Sequence, residues 1–299
     1  MGQVASERAR VYPRSSARAH SRRSGSPRVG GIMRAMRPRP YASPEPPMPP
    51  DLARADWTVT DSRAVLVTPR SRCGAVRIDL CRPEGGLEVG ATRAASDRLL
   101  GLDLGGEVRL ADAWARGGDL TAVYETVDAR QVRATAMWRA IGDAIGAADD
   151  VTAWEVIVSA QTALLQSDAA LAVTGDVLAT TILHPAGGHV PPGADLPWHA
   201  SSSDGPATAR AILVRRATAT GAAAPSVLVA LHDDHGDAIA VRIEDGHARI
   251  ACRLFGETLE KGVLLRSRVL AAIGPADDDT TWAGRLVDRF AALPPMLDT

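Results

Sequence analysis

The densest set of side chains able to hold a metal ion or move a proton is His232-Asp233-Asp234-His235-Gly236-Asp237, where imidazole nitrogens and carboxylate oxygens together suit zinc or manganese. The same string lies between the apolar runs Val227–Leu231 and Ile239–Ile243, and it has the composition of an exposed hairpin turn with Gly236 at positive φ and the carboxylates solvated. Neither its spacing nor a companion motif matches a recognised metal site, so the turn is the preferred reading and no metal is expected. A second set is His184, His189 and His199, which share the Pro- and Gly-rich stretch 184–208 with Trp198. Imidazoles titrating near neutrality beside an indole offer either general bases or the mixed apolar and polar lining of a small-molecule pocket. Long irregular connections concentrate binding residues, so a ligand site is expected where this stretch meets the folded body, rather than at the Asp-rich turn.

Aromatic and acidic residues make the third set. Trp114, Tyr124, Trp138 and Trp198 are candidates for stacking on sugar rings, with Glu125 and Asp128 as acceptors for hydroxyl groups. Against this stands the ordinary role of aromatics at strand period, which is to fill a core, and it weighs more for Trp114, Trp138 and Trp154. Glu125 with Glu155 would form a glycosidase pair only if the fold set their carboxyl groups about 5–10 Å apart across a cleft. The residues carried forward as ligand-binding candidates are therefore Trp198, His184, His189, His199, Trp138 and Glu125. No Gly-x-Ser-x-Gly elbow, Walker loop, Rossmann fingerprint or His-Glu-x-x-His occurs, so the common motif-bearing enzyme classes are disfavoured and no cofactor is expected.

The elements that must position these residues read as strands. Val76, Ile78 and Leu80 alternate with Arg77 and Asp79; Val132, Ala134, Ala136 and Trp138 alternate with Arg133, Thr135, Met137 and Arg139; Trp154, Val156 and Val158 continue the pattern. Turn chemistry separates such runs at Pro83-Glu84-Gly85-Gly86, Gly105-Gly106, Arg116-Gly117-Gly118-Asp119 and Asp245-Gly246. The last joins 239–244 to 247–254, the clearest hairpin, because Asp-Gly supplies the positive φ values of a type I′ turn. About fourteen strand candidates at intervals of roughly ten residues predict an all-β fold, a large two-sheet antiparallel sandwich rather than βαβ units or an eight-stranded barrel. One helix is expected at the C-terminal end, opened by Asp277-Asp278-Asp279, carrying Trp282, Leu286, Phe290 and Leu293 at helical spacing and stopped by Pro294-Pro295. A second short helix is expected around 139–149 on the strength of Ala140–Ala148.

Charge divides the chain. Residues 1–50 hold ten Arg against Glu7 and Glu45, a formal +8, and nine of the twenty prolines. Subtraction from the totals leaves 24 basic and 33 acidic residues over 51–299, a body of −9. The segment 1–50 lacks apolar periodicity and is expected to be disordered. Translated sequence upstream of a true start at Met33, Met36 or Met48 is the favoured explanation for it, over a targeting peptide or a tail that binds nucleic acid. The acidic body is a poor nucleic-acid binder. Basic residues are almost all Arg, with Lys261 the single lysine, a bias expected of a GC-rich bacterial genome. No window reaches the run of about 18 apolar residues that a membrane helix needs. The three cysteines, Cys73, Cys81 and Cys252, are too few and too far apart for a disulfide framework: on one strand Cys73 and Cys81 would stand about 26 Å apart. Cys252, in phase with Ile250 and Leu254, reads as a buried small hydrophobe, and a reducing, cytoplasmic setting follows.

Three stretches carry a resemblance: Gly118–Val127 leading into Arg133 and Met137-Trp138-Arg139, Leu259–Val269, and Phe290-Ala291-Ala292-Leu293-Pro294-Pro295. Together they resemble an uncharacterised β-rich protein family of planctomycete-type bacteria over most of 51–299. The resemblance implies a single β-rich domain over 51–299 and brings no activity with it. The functional expectation is accordingly a non-catalytic binding or interaction module for a carbohydrate or other small polar ligand. A carbohydrate-active enzyme of hydrolase or epimerase type is the alternative, and nucleic-acid binding through the Arg-rich tail comes third.

Overall fold

Period-two alternation becomes strand along nearly the whole body. The computed structural model describes residues 56–67, 74–90, 97–148, 150–185, 197–200, 209–217, 223–232 and 236–294. The chain divides into two units, Met1–Pro49 and Pro50–Thr299, and every described residue belongs to the second. In chain order the first strands are β1 (Asp56–Thr60), β2 (Arg63–Val67), β3 (Val76–Asp79), β4 (Leu87–Val89) and β5 (Asp97–Asp103). There follow β6 (Val108–Arg116), β7 (Asp119–Thr126), β8 (Val132–Ala140), β9 (Thr152–Thr162), β10 (Gln166–Asp168) and β11 (Leu171–Leu178). The remainder are β12 (Thr181–Pro185), β13 (Trp198–Ala200), β14 (Ala211–Ala217), β15 (Ala223–Leu231), β16 (Gly236–Glu244), β17 (His247–Leu254), β18 (Thr258–Glu260) and β19 (Leu265–Gly274), with helix α1 (Asp279–Ala291) last.

The fold is an all-β sandwich. One sheet of eight strands runs β1-β2-β3-β4-β5-β11-β17-β16, and a second of nine runs β13-β12-β14-β15-β19-β9-β8-β7-β6, all pairs being antiparallel. Alternate residues of both sheets interdigitate in one core: Leu66, Ile78 and Ile250 from the first sheet meet Trp138, Trp154, Val156 and Val269 from the second. Cys252 lies in this core, as its phase predicts, and burial pushes its thiol up to about 12. The hairpin between β16 and β17 turns on Asp245 and Gly246 with φ of 53° and 76°, the two positive values a type I′ turn requires.

The helix opens inside the acidic run, with Asp278 in left-handed backbone as its N-cap and Asp279, turned inward, as its first residue. Asp279 is buried and accepts hydrogen bonds from Arg215 Nε (2.8 Å), Arg215 Nη2 (2.7 Å) and Ser226 Oγ (2.8 Å), tying α1 to β14 and β15. Below it Ala283, Leu286 and Phe290 pack onto Leu213, Leu228, Ala230, Leu270 and Ala272, the outward residues of β14, β15 and β19. The second helix expected around 139–149 does not form over the described residues 139–148. Residues up to Ala140 extend β8, and Gly142 and Gly146 then break the chain into turns, Gly146 at φ 57°, while Ile141 and Ile145 join the cluster under α1.

Candidate functional site

The stretch 184–208 is not one irregular loop. Its start and middle pair as an edge hairpin, with Pro185 opposite Trp198, His184 opposite His199 and Leu183 opposite Ala200. Directly opposed residues of an antiparallel pair share a face and neighbours along a strand alternate, so Trp198 falls on one face and His184 with His199 on the other. Trp198 packs against the cluster under α1, while His199 is exposed and His184 is half-buried with its Nδ1 atom 3.4 Å from the Pro185 carbonyl. The expected pocket of an indole and three imidazoles is thus split by strand pleat, and His189 lies outside the described residues.

Trp138 is 0% exposed, and its indole N–H donates to the Leu100 carbonyl at 2.8 Å. Leu100 sits in a bulge where β5 meets β11, at φ 55°, a conformation that costs a leucine about 1 kcal/mol. Trp138 therefore holds a strained bulge and presents no face to solvent. Tyr124 and Trp154 are equally buried. His232 is buried too, its ring edge-on to Phe290 with centroids 5.4 Å apart, so it belongs to the packing under α1 and not to an exposed ligand cluster. Asp233, Asp234 and His235 lie outside the described residues, and among the described residues no three His, Cys, Asp or Glu side chains group as a metal site.

Glu125 and Trp114 tell a different story. Both project from the outward face of the second sheet, on β7 and β6, in the part that α1 leaves open. Register aligns this face in rows. Arg109, Glu125, Arg133 and Gln161 stand side by side across β6, β7, β8 and β9; Trp114, Thr121, Met137 and Ile157 form a row two steps away. Trp114 is 45% exposed, and from Glu125 to Thr121 is about 14 Å of strand.

The Glu125 row opens into a groove of about 450 Å³, lined by Glu125, Thr126, Gln131, Val132, Arg133, Gln161, Thr162 and Ala163. The Glu125 carboxylate bridges Arg109 Nη2 and Arg133 Nη1, the latter at 3.4 Å. Three rows along, Glu155 repeats the arrangement at greater depth. It is 0% exposed and joins Arg139 Nε on β8 with Arg268 on β19, whose Nη2 and Nε lie 2.9 and 3.1 Å from Oε2. Arg268 also donates to the Pro294 carbonyl at 3.2 Å and lies over the Phe290 ring. Two Arg–Glu–Arg triads thus flank the open face, one wet and one nearly dry.

Glu125 and Glu155 do not approach each other. Gln161 shares the Glu125 row and lies six residues along β9 from Glu155, so the two carboxylates are separated by about 20 Å, twice the widest spacing of a glycosidase pair. The core-filling role preferred for Trp114 from the sequence does not hold: its outward parity on edge strand β6 leaves it 45% exposed. The row of Arg109, Glu125, Arg133 and Gln161 on the same face could not be named, because it arises from register between four strands.

No family model matches the chain, and no curated protein matches it. Among solved structures it is similar to the crystal structure of the GH36 alpha-galactosidase AgaB from Geobacillus stearothermophilus, with 10% identity and a TM-score of 0.40 over 73% of this chain. The match covers 40% of the length of that enzyme. Among the described residues, no helix is long and apolar enough to cross a membrane.

Proposed function

We propose that this protein is a non-catalytic β-sandwich module that binds carbohydrate on the outward face of β6–β9. The observation that carries the reading is the 450 Å³ groove, where planar two-pronged groups on Glu125, Gln131, Arg133 and Gln161 converge above a floor closed by Thr126 and Thr162, whose hydroxyls are held by the Val132 N–H and the Gln131 carbonyl. Carboxylate, amide and guanidinium planes match pairs of adjacent sugar hydroxyls, each plane offering two parallel hydrogen bonds. Trp114, exposed on the same face, adds an apolar surface on which a ring can lie. Concavity with a few convergent polar groups is the usual form of a ligand site. The alternative of a hydrolase acting through Glu125 and Glu155 is disfavoured by their separation. The kinship read from Gly118–Val127 and the C-terminal stretches is likewise a proposal.

The test is calorimetric titration of the full chain against soluble oligosaccharides drawn from a glycan screen. Trp114→Ala and Gln161→Ala are expected to weaken the best ligand at least tenfold while leaving the melting temperature within a degree or two. A ligand held with unchanged affinity by both variants would move the site elsewhere and end this assignment.

A further inference from the structure

We infer that the open face takes an acidic polysaccharide, a polymer of uronate rings, with carboxylates meeting the arginines and a ring lying on Trp114. The inference rests on the carbohydrate-binding reading and names the substrate class within it.

Charge is the first support. Each Arg–Glu–Arg triad sets one carboxylate against two guanidinium groups and so keeps a net +1. The other outward charges of these strands and of β19 cancel, Arg116 and Arg266 against Asp112 and Asp119. The face is therefore +2 on a body of −9, leaving −11 for the rest of residues 51–299. A polyanion is repelled by most of this surface and attracted by this part of it, which orients it on approach.

Geometry is the second. Arg109 and Arg133 are 67% and 49% exposed, so their remaining N–H donors face solvent, and Arg133 lines the groove. Arg139 gives its Nε to Glu155 and its side chain is 31% exposed, so the dry triad keeps one arginine in reach of solvent. A guanidinium fork meets a carboxylate in two parallel hydrogen bonds, a fit that a neutral sugar does not use. The third support is length. Trp114 lies about 14 Å from the Glu125 row and the triads are about 20 Å apart, distances that a single sugar ring does not span and an extended chain does. A nucleic acid also carries anions and rings, but its denser charge sets it against the −11 of the surrounding surface.

The experiment compares polygalacturonate with its fully methyl-esterified form, the same polymer without charge, by affinity electrophoresis and calorimetry on the full chain. Single-stranded DNA serves as a third probe. The acid form is expected to bind at least tenfold tighter than the ester and to weaken as salt rises. Arg133→Ala and Trp114→Ala, both at exposed positions, are each expected to lower that affinity at least fivefold. Equal binding of acid and ester, still abolished by Trp114→Ala, would overturn the acidic preference and leave the carbohydrate face standing. Acid-form binding untouched by either variant would place the polymer elsewhere, on the basic segment 1–50, and overturn both readings. DNA bound as tightly as polygalacturonate, or no binding of either polymer, would also overturn the inference.

Discussion

The outward face of the nine-stranded sheet has two halves that obey opposite rules. Over β14, β15 and β19 it presents Leu213, Leu228, Ala230, Leu270 and Ala272, and α1 covers them with Ala283, Leu286 and Phe290. Over β6, β7 and β8 the same face presents Arg109, Trp114, Glu125, Arg133, Thr135 and Arg139, and nothing described covers them. Both halves share one backbone scaffold, one pleat and one set of inward partners, so the difference is carried entirely by side chains at alternate positions. A helix needs small and branched residues beneath it to come close; a surface left to water needs charge. Trp114 breaks the second rule together with Met137 and Ile157 of its own row, and it is the most exposed of the three, which makes it the informative exception.

The seam between the halves is where substitution should cost most. Glu155 sits on β9 with Arg139 on the open side and Arg268, under Phe290 and Pro294, on the covered side. Removing the carboxylate in Glu155→Ala strands a guanidinium that is 3% exposed, and loss of one partner from such a pair costs about 3–5 kcal/mol. Urea unfolding should show a correspondingly lower midpoint at unchanged slope. A loss under 1 kcal/mol would mean that water reaches Arg268 and that the seam is open.

On the covered half the expected loss is smaller. Asp279→Ala removes the acceptor that Arg215 and Ser226 share, but Arg215 is 45% exposed and can turn to water, which limits the cost to about 2–3 kcal/mol. The same group makes this half sensitive to acid. Burial alone would raise the Asp279 carboxyl, yet hydrogen bonds from Arg215 and Ser226 outweigh it and hold the group below the usual carboxylate value. A folded value below the unfolded one means stability that is complete above about pH 4 and lost as pH falls through the lowered folded value. Melting curves of the parent should therefore drop at the acid end of that range, and those of Asp279→Ala should drop less.

The sandwich, the hairpin at Asp245-Gly246 and the C-terminal helix were legible because each rests on local signals: period two, a turn dipeptide, a 3.6-residue repeat. The site was legible only in pieces. Glu125 and Trp114 could be named by type, but their neighbours Arg133, Gln161 and Thr162 come from strands whose pairing the sequence does not state. Trp138, read as a ligand candidate, has the inward parity of Ala134 and Ala136, and that parity already argued for the core. The histidine-rich stretch misled for a related reason: its prolines and glycines hid a short strand pair, and parity within the pair then separated Trp198 from His184 and His199.

On the open half stability and function should come apart. Glu125→Ala leaves Arg109 and Arg133 in contact with water, so its cost is expected below about 1 kcal/mol, in contrast to the several kcal/mol of Glu155→Ala. Both arginines stand directly opposite Glu125, whereas Arg268 reaches Glu155 from one step off, opposite Ile157, so the contrast joins a difference in register to the larger one in burial.

Trp114→Ala should cost least of all. The indole lies on an edge strand with nearly half its surface in water, its inward neighbours Ala113 and Ala115 face the core without it, and no cluster of buried residues includes it. A change within about 0.5 kcal/mol is expected, the range of surface positions that make no special contact. Were Trp114 a structural residue, its removal would lower the melting temperature and affinity together. If it is a ligand platform, the melting curve stays in place while the affinity for the best glycan falls at least tenfold. A fall in stability above 1 kcal/mol with affinity unchanged would assign Trp114 to the fold and leave the open half without its apolar anchor.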